Sequence, residues 1–114
     1  MRVKNIKIPI YYGDLTIIQI DSIVDIGKKY GYDMRQLHGA DACVFRNHKK
    51  NGYLKYVLVF ENEFMVEQVA HESAHLVNYI FADRGIKLDI NNDEPQAYLI
   101  GWIVSECHKF LKNG

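Results

Sequence analysis

From Glu63 to Asp83 the apolar residues recur at helical spacing, and this long amphipathic segment limits the architecture more than any other feature of the chain. At 100° per residue Val66, Val69, Leu76, Val77 and Ile80 form one stripe, which needs a broad apolar surface to cover it. Arg84-Gly85 ends the pattern, with glycine supplying a left-handed cap. Inside the segment stands His71-Glu72-Ser73-Ala74-His75. Residues i and i+4 of a helix share a face, with Cβ atoms about 5–6 Å apart. The same periodicity turns His71 and His75 almost opposite to the apolar stripe, so they face solvent or a cleft made with another element.

The rest of the chain supplies the surface. Asn5 to Tyr12 and Leu15 to Ile20 are β-branched and aromatic, with Gly13-Asp14 between them, and read as a hairpin. Asp21 or Ser22 can cap a short helix carrying Ile23, Ile26 and Tyr30, stopped by Gly31. Ala42 to Arg46 and Tyr53 to Phe60 are two more strands, joined through Lys50-Asn51-Gly52, whose Asn-Gly is a tight-turn signal. Asn91-Asn92-Asp93 offers N-caps for a last helix from Glu94 to about Leu111, with Pro95 tolerated in its first turn. The expected fold is α+β: a small antiparallel or mixed sheet followed by two long helices, in one domain spanning residues 1–114.

Composition narrows the function classes. Fourteen basic and fourteen acidic residues cancel, so no global field favours nucleic acid or an anionic membrane. Lys28-Lys29 and His48-Lys49-Lys50-Asn51-Gly52 read as a solvated helix end and a turn. No stretch has the form of a signal peptide or a transmembrane span, which points to the cytoplasm. Cys43 and Cys107 are far apart and in no metal or redox spacing, and read as two small buried thiols.

The pentapeptide is where the chemistry lies. With five histidines and six glutamates in 114 residues, about 0.01 occurrences of H-E-x-x-H are expected by chance. Two imidazoles at this spacing can grip one metal ion, and the glutamate beside the first reaches a water rather than the metal. The last helix offers a third ligand. Glu94, Ala97, Tyr98 and Gly101 fall on one stripe, whose small residues let it approach another helix closely; the His-bearing face is the expected partner. Residues 86–94 reach up to ~30 Å when extended, enough to return Glu94 beside His75. Two histidines and a carboxylate leave one position of a tetrahedral Zn2+ open, the composition of a catalytic site. Asp93 competes with Glu94 for the third place but stands where a helix cap belongs. His108 lies about 21 Å beyond Glu94 along a straight helix and excludes itself if Glu94 binds. His38 and His48 read as surface loop histidines. Tyr98 is either a hydrogen-bond donor to a developing oxyanion or an aromatic filler between helices.

His71-Glu72-Ser73-Ala74-His75 followed by Glu94 in Asp93-Glu94-Pro95-Gln96-Ala97-Tyr98-Leu99-Ile100-Gly101 resembles the gluzincin metallopeptidases. In particular it is similar to the very small zincin-like proteins of bacteria and tailed phages, related in plan to the ImmA/IrrE-type peptidase domain and to minigluzincins. The likeness covers residues 53 to 112. It implies a zincin-like fold, zinc on His71, His75 and Glu94, and Glu72 as general base and proton shuttle. It also implies an extended peptide or protein substrate lying along Tyr53–Phe60 as the sheet edge, in a bacterial or phage-infected cell. No second histidine outside the metal set is placed to stabilise the transition state, so that role is open or falls to Tyr98. The rival expectation is a zinc-stabilised binding or virion-associated module, with a phage or host protein partner, that cleaves nothing.

Overall fold

The computed structural model describes residues 1–30, 42–48 and 54–112. They form four strands and three helices in the order β1 (Arg2–Lys7), β2 (Asp14–Ile20), α1 (Val24–Tyr30), β3 (Ala42–His48), β4 (Leu54–Glu61), α2 (Val66–Asp83) and α3 (Glu94–Phe110). The α+β expectation holds, and the sheet is mixed, with strand order β1-β2-β4-β3. β1 pairs antiparallel with β2, in a register that sets Asn5 opposite Thr16, and the Thr16 hydroxyl donates to Asn5 Oδ1 at 2.6 Å. β2 pairs parallel with β4, and β4 pairs antiparallel with β3. The Lys50-Asn51-Gly52 turn lies outside the described residues.

Two corrections follow from this order. β4 is a central strand hydrogen-bonded on both sides, so Tyr53–Phe60 is not the sheet edge on which a substrate could lie; among the described residues the edge strand on the α2 side is β3. A run as apolar as Tyr56 to Phe60, fully buried on both faces, is the pattern of an interior strand. The hairpin connection also differs. β1 stops at Lys7, and residues 8–13 form a loop closed by the Ile8 amide donating to the Gly13 carbonyl at 3.0 Å. Gly13 has φ +105°, and a Cβ there would stand 3.0 Å from the Leu54 carbonyl oxygen, so glycine is needed for both conformation and approach.

Side chains alternate across the sheet. Leu15 and Ile17 of β2 and Leu54, Tyr56, Leu58 and Phe60 of β4 face α2 and α3. Ile18, Ile20, Val57, Val59 and Cys43 face the other way, onto Ile23 and Ile26 at the start of α1. Cys43 and Cys107 are thus buried free thiols in different layers. Burial pushes each thiol up to about 12, with smaller contributions from Glu72 at Cys43 and Glu106 at Cys107. The start of α1 receives its anionic partner from afar: the Glu61 carboxylate accepts the Ile23 amide at 2.8 Å, while Asp21 is taken up by Asn62.

α2 buries Val69, Ser73, Leu76, Val77, Ile80 and Phe81, and α3 buries Leu99, Ile103 and Cys107. Val66, expected on the stripe, is 78% exposed as the first residue of α2. The Met65 amide donates to Gln68 Oε1 at 2.8 Å, closing the first turn. Gly85 at φ +68° ends α2 as expected, with the Ile86 amide returning to the Phe81 carbonyl. At that end Asp83 accepts from the Tyr56 hydroxyl at 2.6 Å and pairs with Arg46 at 3.2 Å, and the Arg46 guanidinium lies over the Tyr79 ring. These contacts moor α2 to β4 and β3. Buried Gln19 moors the far end of α3: its amide donates to the Lys112 carbonyl and its Oε1 accepts the Lys112 amide at 3.0 Å. No helix among the described residues is long and apolar enough to cross a membrane.

Candidate metal centre

His71 and His75 are exposed on the face of α2 that points away from the sheet, as the periodicity requires. Their Nε2 atoms are 3.1 Å apart and their rings meet edge to face, with centroids 4.6 Å apart. In the metal-free chain one Nε2–H can donate to the other nitrogen. The separation also suits a shared ion, because zinc–nitrogen bonds of about 2.0–2.1 Å at a tetrahedral angle place two ligand atoms about 3.3 Å apart. The helix therefore presents both imidazoles on one side at close to the spacing a metal needs.

Glu72 sits one residue on, half-buried, on the flank of α2 that carries Tyr79 and Asp83 at i+7 and i+11 and meets β3. Burial pushes its carboxyl above the usual carboxylate range, and positive charge on His71 and His75 pulls it part of the way back. Among the described residues the carboxylate forms no ion pair or hydrogen bond of its own, so it is available to a water or a substrate. Ser73, the third residue of the motif, points the opposite way, and its buried hydroxyl has no partner among the described residues.

The third ligand is not gathered. Among the described residues no three His, Cys, Asp or Glu side chains lie close enough together to hold a metal ion. The reason is the helix pairing. α3 runs antiparallel to α2, so its far end lies beside the start of α2, where Val104 and His108 line a groove with Val66 and Ala70. Its first turn lies at the other end, where Pro95 and Leu99 meet Tyr11, itself stacked on Phe81. His75 precedes Phe81 by six residues, about 9 Å along the axis, so the connection does not carry Glu94 back to the level of the histidines.

The expected docking face is also corrected. Glu94, Ala97, Tyr98 and Gly101 are exposed, and the helices meet instead through Leu99, Ile103 and Cys107. The larger apolar residues outcompete the small ones for the interior, because each buries more area. Tyr98 stands 75% exposed over an apolar groove lined by Pro9, Ile10, Tyr11, Pro95 and Trp102, a groove to which neither histidine of the pair contributes. Asp93 holds the N-cap position of α3 without a side-chain cap bond. His38 lies outside the described residues, and His48 is the last residue of β3.

The hairpin loop was not singled out by its sequence. Ile10 and Tyr12 both have positive φ, +69° and +61°, and their side chains project into solvent. Nothing in the sequence signals this, since a β-branched residue is the least expected occupant of that conformation. The loop is held from outside by Arg84, whose Nε donates to the Tyr11 carbonyl and whose Nη2 donates to the Tyr12 carbonyl at 2.8 Å.

No family model, no curated protein and no solved structure matches the chain.

Proposed function

We propose that this chain is a small zinc-dependent peptidase of the gluzincin kind, with a zincin-like arrangement of motif helix and sheet. The observation that carries the reading is the exposed His71–His75 pair, with nitrogens 3.1 Å apart and Glu72 beside it. His71 and His75 would hold the ion, which when bound lowers the pKa of a water and polarises a carbonyl. Glu72 would take the proton from the attacking water and deliver it to the leaving amine. Burial raises its carboxyl above the ordinary carboxylate range, the direction a proton-shuttling group needs. An extended peptide substrate would lie along β3, the edge strand among the described residues and the one next to the Glu72 flank of α2.

Glu94 is the third ligand this reading calls for. It stands about two helical turns from the pair, so substitution there tests whether the site closes around the ion. The same separation favours a second reading, a zinc-binding module that keeps the two histidines and cleaves nothing.

Elemental analysis of the purified protein, with Glu94→Ala and His75→Ala beside it, tests metal binding. Near-stoichiometric zinc in the wild type, lost in His75→Ala, is expected, and a wild type without zinc refutes the site. Hydrolysis of a fluorogenic peptide library then separates the two readings. The peptidase reading expects turnover by wild type and at least about a hundredfold less by a zinc-loaded Glu72→Gln variant. Equal activity of the two sinks the mechanism, and a zinc-loaded wild type that cleaves nothing leaves the binding module.

A further inference from the structure

The end of the molecule formed by the 8–13 loop, the 84–93 connection and the first turns of α3 is apolar where a surface should be polar. Six of the eleven large hydrophobic side chains exposed among the described residues belong to it: Ile10, Tyr12, Ile86, Leu88, Ile90 and Tyr98. The connection is tied to the loop at both ends, since Arg84 binds the Tyr11 and Tyr12 carbonyls and Pro95 lines the groove beside Ile10. At about 200 Å2 for a fully exposed residue of this size, the six together expose roughly 800 Å2.

We propose that this end is the surface on which a second copy of the chain docks. Three observations choose that occupant. The exposed area matches the roughly 800 Å2 per partner of a standard protein–protein interface. The patch carries both a projection and a recess: Tyr12 stands 78% exposed, and Ile10, 87% exposed, is one wall of a groove of about 420 Å3 that it shares with Pro9, Tyr98 and Trp102. A two-fold interface requires such a patch, because each copy must offer both projection and recess. The formal net charge of zero also leaves no long-range repulsion between copies.

The loop is built for association at a cost to the isolated chain. Holding Ile10 and Tyr12 at positive φ stores strain while both side chains stand largely in solvent. Arg84 and the Tyr11–Phe81 stack fix the loop in place, so little ordering remains to be done when the second copy arrives. The docking surface is separate from the histidine pair and does not depend on the metal reading.

Light scattering coupled to size exclusion, in EDTA at about 200 μM protein, measures this directly, the chelator removing any bridge through His71 and His75. The wild type should run at twice its 13.3 kDa, and Tyr98→Glu and Ile10→Asp at 13.3 kDa. Val66→Glu, an equally exposed apolar residue outside the patch, should remain dimeric. Tyr98→Ser is the milder companion should a charged variant fail to give the wild-type circular dichroism spectrum. A wild type of 13.3 kDa, a dimer that survives the patch substitutions, or a dimer dissociated equally by Val66→Glu overturns the proposal.

Discussion

α2 and α3 are near equals in length, 18 and 17 residues, and lie side by side on one face of the sheet, yet their outward faces differ. Inward, both are apolar: Leu76 and Ile80 from one, Leu99 and Ile103 from the other, all in a single core. Outward, α2 shows titratable side chains gathered around His71 and His75, while α3 opens with Ala97, Tyr98 and Gly101 beside an apolar groove. Stability is drawn from the shared interior, and the two exteriors differ in chemistry. That division can be broken experimentally.

The largest effect belongs to the interior. Leu76→Ala and Ile103→Ala, both at fully buried positions, should each lower unfolding free energy by about 2–5 kcal/mol in urea titrations. A cost below about 1 kcal/mol for either would show that the two helices do not share the core equally. Next comes alkaline pH. Cys43 and Cys107 lose their protons near 9 when unfolded but only near about 12 when folded, so above pH 9 the unfolded chain holds fewer protons. Stability is therefore full below pH 9 and falls as pH rises toward 12, by on the order of a few kcal/mol. Burial and the hydrogen bond to Asp83 raise the Tyr56 hydroxyl in the same direction. Thermal melts across that range should decline, with Cys107→Ala declining less steeply; a flat profile would contradict the burial of the thiols.

Ser73→Ala should stabilise the protein by about 1 kcal/mol, since it removes a buried hydroxyl that has no partner among the described residues, on the core side of the motif. A loss of stability in chemical denaturation would mean that the hydroxyl has a partner. The smallest effect is on the outward face. His75→Ala in EDTA should stay within about 0.5 kcal/mol of wild type, as an exposed substitution does. Zinc should then raise the melting temperature of wild type alone, and equal shifts in both would move the ion elsewhere.

What the sequence disclosed depended on local periodicity. The strands, the long helices and the outward turn of His71 and His75 follow from spacings of two and 3.6 residues, which each segment carries within itself. Gly85 was legible as a cap because few other residues adopt its conformation readily. The docking face of α3 was misread because the way two helices meet is set by packing, and the bulk of Leu99 and Ile103 decided which face turned inward. β4 was read as an edge because strand order depends on pairings across the chain: its parallel partner β2 lies some forty residues earlier. The positive φ of Ile10 runs against its own propensity and is sustained by Arg84, 74 residues further on. Long-range constraints of that kind leave no trace in a local pattern.

The Gln19 clasp has a consequence for how the chain is made. Arg2 donates both to Gln19 and to the Phe110 carbonyl, and Gln19 holds Lys112, so the first strand, the second strand and the tail of the last helix are knotted into one hydrogen-bonded cluster. Those partners are separated by about ninety to a hundred and ten positions, among the most distant contacts a chain of this length can make. On the ribosome the α3-facing side of the sheet therefore stays uncovered until the residues of α3 have emerged. A chain cut before residue 110 loses every bond that Phe110 and Lys112 make to β1 and β2.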